Sequence, residues 1–474
     1  MSKSITIHQP FNPFSLSRLV DRFPQAMLIR HYWAHSKAYR RILIASLVYA
    51  VLRLLLHLVM IGGMALYGQS EPEIPVVPQD LEVYLEAAAH LQQGQDLYLN
   101  TAFESTNEPY YYAPAYAIVF LPFLWLFRLS PLLVSLAHTG LHVLAYGYLY
   151  YLWGQIFKQA GLEQANKMLA LTLPVWLLFS AFWADLGFLN IYILMALLAT
   201  LLLKAILEEQ LGWAVLWLTM ILQTKPQWAF ALAVPLLIGR FRFFFKLLTL
   251  SVITYMIMVG ITLLISGPGY GWQQHVDYVH FLTTLGGKYP WRTPADPFLG
   301  YNHAIKQIAV FRLGISSATD RLVVLLKCLL LAPLLLISIK TFRERTLQPD
   351  RQPAHLSLDL AFVYYLAAFI WLDVVWELTL SIAIFSYLLA AATSKRLRLV
   401  IWAIFLPYAL LDIWQVLSFI ILGESVILPG FYIATDPAIY VPIIMFLTII
   451  FYAVLARRLS VDRNPSFRPQ GEIL

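Results

Sequence analysis

Residues 42–67 read ILIASLVYAVLRLLLHLVMIGGMALY, an apolar run whose only Lys, Arg or His side chains are Arg53 and His57. As a helix these 26 residues extend about 39 Å at 1.5 Å per residue, more than the ~30 Å hydrocarbon core of a bilayer. The run shows no polar face at the helical period, so its solvent is hydrocarbon. The rest of the chain agrees. Of 474 residues, 60% are hydrophobic and 12% charged, about half the charge of a soluble domain, and the mean hydropathy is +0.69.

Charge on either side of this run orients it. Residues 1–41 carry seven Lys/Arg (Lys3, Arg18, Arg22, Arg30, Lys37, Arg40, Arg41) against Asp21, so the positive-inside rule places this tail in the cytoplasm. That tail is polar and basic, with no apolar segment before Ile42, and no cleavable signal peptide is expected. Residues 68–114 hold eight acids and no Lys or Arg, and are read as outside. The formal charge of +7 sits in short clusters between apolar runs, which orients a membrane protein and makes no continuous face for nucleic acid. Cys328 is the chain's single cysteine and has no disulfide partner within it.

From residue 239 on, basic clusters at 240–246, 340–351, 395–398 and 457–468 alternate with less basic loops. Apolar runs near 246–266, 321–339, 357–372, 376–392, 399–422 and 438–456 give six crossings and a cytoplasmic C-terminus. Before 239 there are seven runs (42–66, 114–128, 131–152, 168–183, 188–206, 212–223, 226–239), while two cytoplasmic ends need an even number. At least one run does not cross. Residues 211–239, broken at Lys225-Pro226, read either as one kinked helix or as a hairpin of two short ones. The expectation is an all-α bundle of about 12 spans with helical outer loops at the membrane surface. It divides into a basic tail 1–41, a catalytic module 42–395 with outer loops 68–114 and 267–321, terminal spans 396–456 and a tail 457–474. The tails suit anionic headgroups or serve as orientation signals.

A first outer loop of about 46 residues is long enough to expect function. Its stretch from Asp80 to Leu91 lacks Gly and Pro and predicts a helix of about three turns, ended by Gly94. Asp80, Tyr84, Ala87/Ala88 and Leu91 share one face, and Glu82 and Glu86 a different, wet one. Asp80 reads as the helix N-cap, as a general base at headgroup level, or as both. Tyr110, Tyr111 and Tyr112 fit an interfacial belt, or a sugar-binding face. In the second loop His275, Asp277 and His280 suggest a metal, but positions 275 and 277 diverge by about 200° on a helix. An amphipathic interfacial helix is the better reading there.

Asp80-x3-Tyr84, Gly94-x3-Tyr98 and Tyr112-x-Pro114, followed in order by Gly187-x2-Asn190, Lys225-Pro226, Asn302 and Trp376-Glu377, resemble glycosyltransferase family 87 of the GT-C class. The resemblance covers roughly residues 42–395. Ala113-Pro114 stands where the family usually has Pro-Pro, Gly187-Phe188 where it has Gly-Gln, Asn302-His303 where it has Asn-Gln, and Trp376-Glu377 where it has Trp-His. It implies an integral membrane enzyme that moves a hexosyl unit, mannosyl in members of the class, from a polyprenyl-phosphate sugar to a lipid, glycan or protein acceptor outside the cell membrane's cytoplasmic face. Asp80 is then the base of an inverting transfer. Tyr84, Tyr98, Tyr112, Asp185, Asn190, Asn302, His303, Asp373, Trp376 and Glu377 are candidate substrate contacts. A leaving phosphate needs a cation, for which Lys225 and Arg292 are candidates; no obligatory metal is expected. Asp373 and Glu377, between two apolar runs, are costly enough to suggest function by themselves, or form a short outer turn with hydrated carboxylates; Arg53 and His57, within one run, face the bundle interior or a lipid phosphate. Asp80 should open onto a cavity at the outer boundary with a lateral gap for an isoprenoid tail. The rival is a multi-pass transporter or lipid-linked-sugar flippase, which predicts internal repeats and discontinuous helices; no repeat is visible.

Overall fold

The computed structural model describes residues 24–68, 70, 75–98, 110–288, 302–347, 354–376, 378–422 and 437–461, and every regular element among them is helical. Five helices are long and apolar enough to cross a membrane: Lys37–Tyr67, Pro131–Gln159, Phe241–Ser266, Ser317–Glu344 and Pro442–Ser460. Two further pairs qualify if each bent pair is one span, Glu163–Leu171 with Leu173–Phe188 (51°) and Lys395–Ala409 with Leu411–Leu417 (45°). The protein is thus a helical membrane protein with five to seven candidate spans by length and composition. Shorter apolar helices, Tyr192–Leu207, Leu211–Thr224, Pro226–Leu237, His355–Trp371 and Ser381–Ala391, complete the bundle.

Long-range contacts sort the helix ends into two sets. At one end Arg240 donates to the Ile206 carbonyl and pairs with Glu209 at 3.2 Å. Residues 206–209 precede Leu211–Thr224, and Arg240 follows Pro226–Leu237, so residues 211–239 form a hairpin. The sequence left this choice open. Lys225 is its tip, extended at φ −134° and ψ 90°, because proline at 226 removes a donor and disfavours a helical residue before it. Arg458 closes on buried Asp359 at 3.0 Å, and Tyr387 donates to the same carboxylate.

The run 114–128 folds as two helices, Pro114–Val119 and Leu121–Leu129, laid along helix Gln79–Gln93. Tyr112, just before them, bonds Tyr84, and Arg128 near their end donates to Gln92 at 2.7 Å. Both ends of the run therefore meet the same helix. The run 376–392 is helical only from Ser381. Ahead of it, hydroxyls of Tyr408 and Tyr365 accept the backbone N–H groups of Leu378 and Leu380, which replaces the missing helical bonds.

Helix Pro268–Lys288 follows Phe241–Ser266 after Gly267 alone. It buries Tyr278 and Phe281 against Tyr98 and Tyr111 and exposes Trp272, Val276 and Val279. One apolar stripe outward at helical spacing is what an interfacial helix presents.

Arg53 lies inside the bundle. Its guanidinium meets both carboxylate oxygens of Asp412 at 3.1–3.3 Å, and Tyr49 donates to the same group. Both charged side chains are at most 4% exposed. Arg53→Met is expected to lower stability by about 3–5 kcal/mol, because the Asp412 carboxylate is left buried without its ion partner. The double variant Arg53→Met/Asp412→Leu should recover most of that loss, and thermal unfolding in detergent measures both.

Candidate functional site

Helix Gln79–Gln93 begins after Pro78, which occupies the cap position, and ends at left-handed Gly94 (φ 68°). The N-cap reading of Asp80 is therefore corrected: Asp80 is the helix's second residue. Its Oδ2 accepts the Asn190 Nδ2–H at 3.0 Å, far along the chain. Tyr84, Ala87, Ala88 and Leu91 are buried as their shared face requires. Glu82 and Glu86, expected on a wet face, are only half-buried or less open than that face implies.

Asn190 is the hub. Its Oδ1 accepts the Tyr84 hydroxyl at 3.1 Å and the Ile191 N–H at 2.7 Å. The backbone reaches it through Leu189, a non-glycine residue at φ 51°, a conformation costing roughly 1–2 kcal/mol. Asp185 holds this corner, since its two oxygens accept the N–H groups of Tyr192 and Ile193, both at 2.9 Å, at the start of helix Tyr192–Leu207. Behind the corner, His142 Nε2 donates to the Asn190 carbonyl and lies 3.3 Å from Asp185 Oδ2.

From Tyr84 the contacts continue to Tyr112 (hydroxyl to hydroxyl, 3.1 Å) and on to Lys225, whose Nζ lies 5.3 Å from the Tyr112 ring and 4.2 Å from the Tyr192 ring. Lys225 also donates to the Tyr192 hydroxyl at 3.1 Å. Tyr98 donates to the Tyr112 carbonyl at 2.7 Å. Burial, with the charges of Tyr112 and Asp80 beside it, pushes the Tyr84 phenol well above its ordinary range, so it remains a donor. Tyr84, Tyr98 and Tyr112 are packed inside an aromatic cluster and support the site; neither an interfacial belt nor an open sugar platform describes them.

Beyond Lys225 opens a cavity of about 500 Å³. Three lysines line it, Lys225, Lys306 and Lys327, with Asp320, Asp373, Trp371 and Trp376. Lys327 pairs with Asp373 and donates to the Trp371 carbonyl at 2.6 Å; Lys306 lies 3.8 Å from Asp373 and 3.6 Å from Asp320. A second hollow of about 440 Å³ shares Gln227 and Trp371 with it and is walled by Ala229, Phe230, Leu232, Ala233, Phe244, Tyr364, Ala367 and Ala368. The lysine-lined chamber and this open, almost wholly apolar hollow thus border on the same two residues, Gln227 and Trp371.

The structure brings Asp80, Tyr84, Tyr98, Tyr112, Asp185, Asn190 and Lys225 into one cluster, and Asp373 and Trp376 into the cavity beside it. Asn302 does different work. Its amide oxygen accepts the N–H groups of Ala304 and Val375, and its Nδ2 donates to the Asp373 carbonyl at 2.8 Å. With the His303 N–H on the Val375 carbonyl, it shapes the loop that carries Asp373. Arg292 and Glu377 lie outside the described residues. Asp80 is not among the residues lining the cavity, contrary to expectation, because Asn190, Tyr84 and Tyr112 come between it and Lys225 in the chain of contacts. His142, Lys306 and Lys327 went unremarked in the sequence. His142 and Lys327 stand in apolar runs, and that placement was the signal. Among the described residues no group of three or more His, Cys, Asp or Glu could hold a metal.

Comparison of the chain with family models, curated proteins and solved structures returned no match. The resemblance to glycosyltransferase family 87 accordingly stands on the residues quoted above.

Tyr84→Phe removes one hydroxyl from both Asn190 and Tyr112 and should cost about 1–3 kcal/mol in unfolding measurements. A second expectation concerns pH. Burial first, then the Glu86 charge, raises Glu82; burial raises Glu86 against the opposing His90. A raised folded-state value means that their contribution is complete below about 4.5 and is lost as pH rises through the folded values. Glu82→Gln/Glu86→Gln should flatten the corresponding fall in Tm between pH ~4 and ~7.

Proposed function

We propose that this protein is a membrane glycosyltransferase that moves a hexosyl unit, mannosyl in the reading its class suggests, from a polyprenyl-phosphate donor to a hydroxyl of a lipid, glycan or protein acceptor on the extracytoplasmic side. The observation that carries the reading is a lysine-lined chamber and an open apolar hollow that share Gln227 and Trp371, next to the Asp80–Asn190 cluster. A lipid phosphate needs cations and its isoprenoid tail needs an apolar surface; the two neighbouring hollows offer one of each. Lys225, Lys306 and Lys327 stand among the described lining residues as cations for the donor phosphate.

In the proposed step the sugar enters between half-buried Asp80 and Lys225, which requires the Tyr84–Tyr112 contact that now lies between them to open, and the acceptor hydroxyl approaches Asp80. Asp80 takes its proton as the oxygen attacks the anomeric carbon. The bond from that carbon to the phosphate oxygen breaks on the opposite face, and the lipid phosphate departs with the electron pair, facing Lys225 and its neighbours. Asn190 and Tyr84 keep the carboxylate in place. The product has inverted anomeric configuration.

The same proposal takes the Asp80 end as extracytoplasmic, both termini as cytoplasmic, and the crossings as twelve. Support for that count comes from the run 114–128, which meets helix Gln79–Gln93 at both ends, and from the hairpin at 211–239; one non-crossing run and two short limbs restore an even number.

A flippase for a lipid-linked sugar is the second reading, favoured by the bent helix pairs at Thr172 and Leu410. The acid–amide–lysine cluster lies at helix ends, which suits chemistry better than passage.

The test supplies purified protein in nanodiscs with a radiolabelled polyprenyl-phosphate hexose and a membrane extract. Wild type should transfer label, and Asp80→Asn should lose roughly a thousandfold of the rate, within the range of general-base contributions. Lys225→Met/Lys327→Met should raise the KM for donor. Movement of the labelled lipid across proteoliposomes without transfer, or transfer unaffected by Asp80→Asn, would overturn the reading.

A further inference from the structure

His142 is fully buried on helix Pro131–Gln159, in a run otherwise made for hydrocarbon, and the proposed reaction does not use it. Among the described residues its two ring nitrogens meet only oxygen acceptors. Nδ1 faces the His138 carbonyl at 2.9 Å, and Nε2 faces the Asn190 carbonyl and, at 3.3 Å, Asp185 Oδ2. A neutral imidazole donates through one nitrogen and presents a lone pair at the other. Either neutral tautomer would therefore aim a lone pair at an oxygen, whereas a ring with two N–H groups satisfies both sides.

The surrounding charges fit that ring. From helix Ser180–Phe188 comes Asp185. From helix Lys37–Tyr67 come His57, bonded through Nε2 to Thr139 at 3.0 Å, and Arg53, neutralised by Asp412. On His142's own helix, the His138 ring stacks at a tilt 4.7 Å away. Towards the site stand Tyr84 and Tyr116, and Asp80 reached through Asn190.

We propose that His142, as an imidazolium paired with Asp185, is a positioning residue for Asp80. It pins the Asn190 carbonyl, and Asp185 pins the backbone on the other side of the corner; together they fix the left-handed turn at Leu189 that aims the Asn190 carboxamide. That carboxamide donates to the Asp80 carboxylate at 3.0 Å. The buried pair therefore sets both where the carboxylate points and how well its charged form is stabilised, since a donor to a carboxylate favours ionisation. Neither His142 nor Asp185 touches substrate. The kinetic half of this inference rests on the glycosyltransferase reading; the protonation half does not.

The experiment has two arms. In the first, wild-type protein labelled with ¹⁵N-histidine is examined by NMR in nanodiscs, and the His142 resonances are assigned by their loss in His142→Gln. Two protonated ring nitrogens, unchanged from pH ~6 to ~8, are expected. A neutral tautomer in the folded protein would overturn the proposal, and this arm needs no activity and no variant beyond the one used for assignment. In the second, transfer kinetics are compared among wild type, His142→Gln and Asp185→Asn. Loss of registry should lower kcat roughly a hundredfold with the donor KM unchanged, and should move the acidic limb of the pH–rate profile to higher pH as Asp80 loses its donor. A profile that keeps its acidic limb in place, or a loss confined to KM, would contradict a positioning role. If wild type transfers no sugar, the glycosyltransferase reading falls while the NMR result still decides the state of His142.

Discussion

The structure depends on one constraint: backbone that leaves helical geometry inside an apolar bundle must find other partners for its N–H and C=O groups. The breaks around the site meet it with side chains. Asp185 takes the first N–H groups of helix Tyr192–Leu207, Asn302 takes both strands of the loop at Asp373–Val375, and tyrosine hydroxyls take Leu378 and Leu380. The Ala113 N–H is taken by the Gln223 carbonyl, which ties the Tyr112 segment to the tip of the Lys225 hairpin. Each repair fixes a loop that a water-exposed turn would leave loose, and each brings a polar side chain to the same end of the bundle.

The same economy governs charge. Burying an ion without a partner costs several kcal/mol, and Arg53 is matched by Asp412 inside the bundle, as the His142 imidazolium proposed above is by Asp185; Lys327 with Asp373 and Arg458 with Asp359 pair where one partner is partly exposed. Lys225 also lies over the faces of two tyrosine rings and donates to a phenol, and aromatic faces stabilise a cation. In the proposed function the lysine-lined chamber beyond it receives the anionic headgroup and the neighbouring apolar hollow its tail.

Much of this was legible in the sequence. Run length and charge placement read out a helical membrane protein, because hydrocarbon admits few alternatives to a continuous apolar helix. Asp80, Asn190 and Lys225 were marked by motif order, and they do converge. What stayed hidden was long-range. That 114–128 lies along helix Gln79–Gln93 follows from the Arg128–Gln92 bond, which no local pattern announces. Asn302 and Tyr98 were marked as ligand contacts but spend their polar atoms on backbone. Lys327 and His142 look alike in sequence, single polar residues in apolar runs, and only packing assigns one to a chamber and the other to a buried pair. Arg53, four residues before His57, reads as facing either the bundle interior or a lipid phosphate, and Asp412 from a distant helix decides for the interior.

The account's central claim is that an isoprenoid phosphate lies with its head in the lysine chamber and its tail in the groove beyond Trp371. The most direct measurement is photo-crosslinking with a polyprenyl phosphate that carries a diazirine in its first isoprene units, followed by peptide mapping in nanodiscs. The account predicts label on residues around Phe230, Ala233, Phe244 and Ala367, competed away by unlabelled polyprenyl phosphate. Label confined to outward faces such as Met256 and Leu264, and indifferent to competitor, would contradict it.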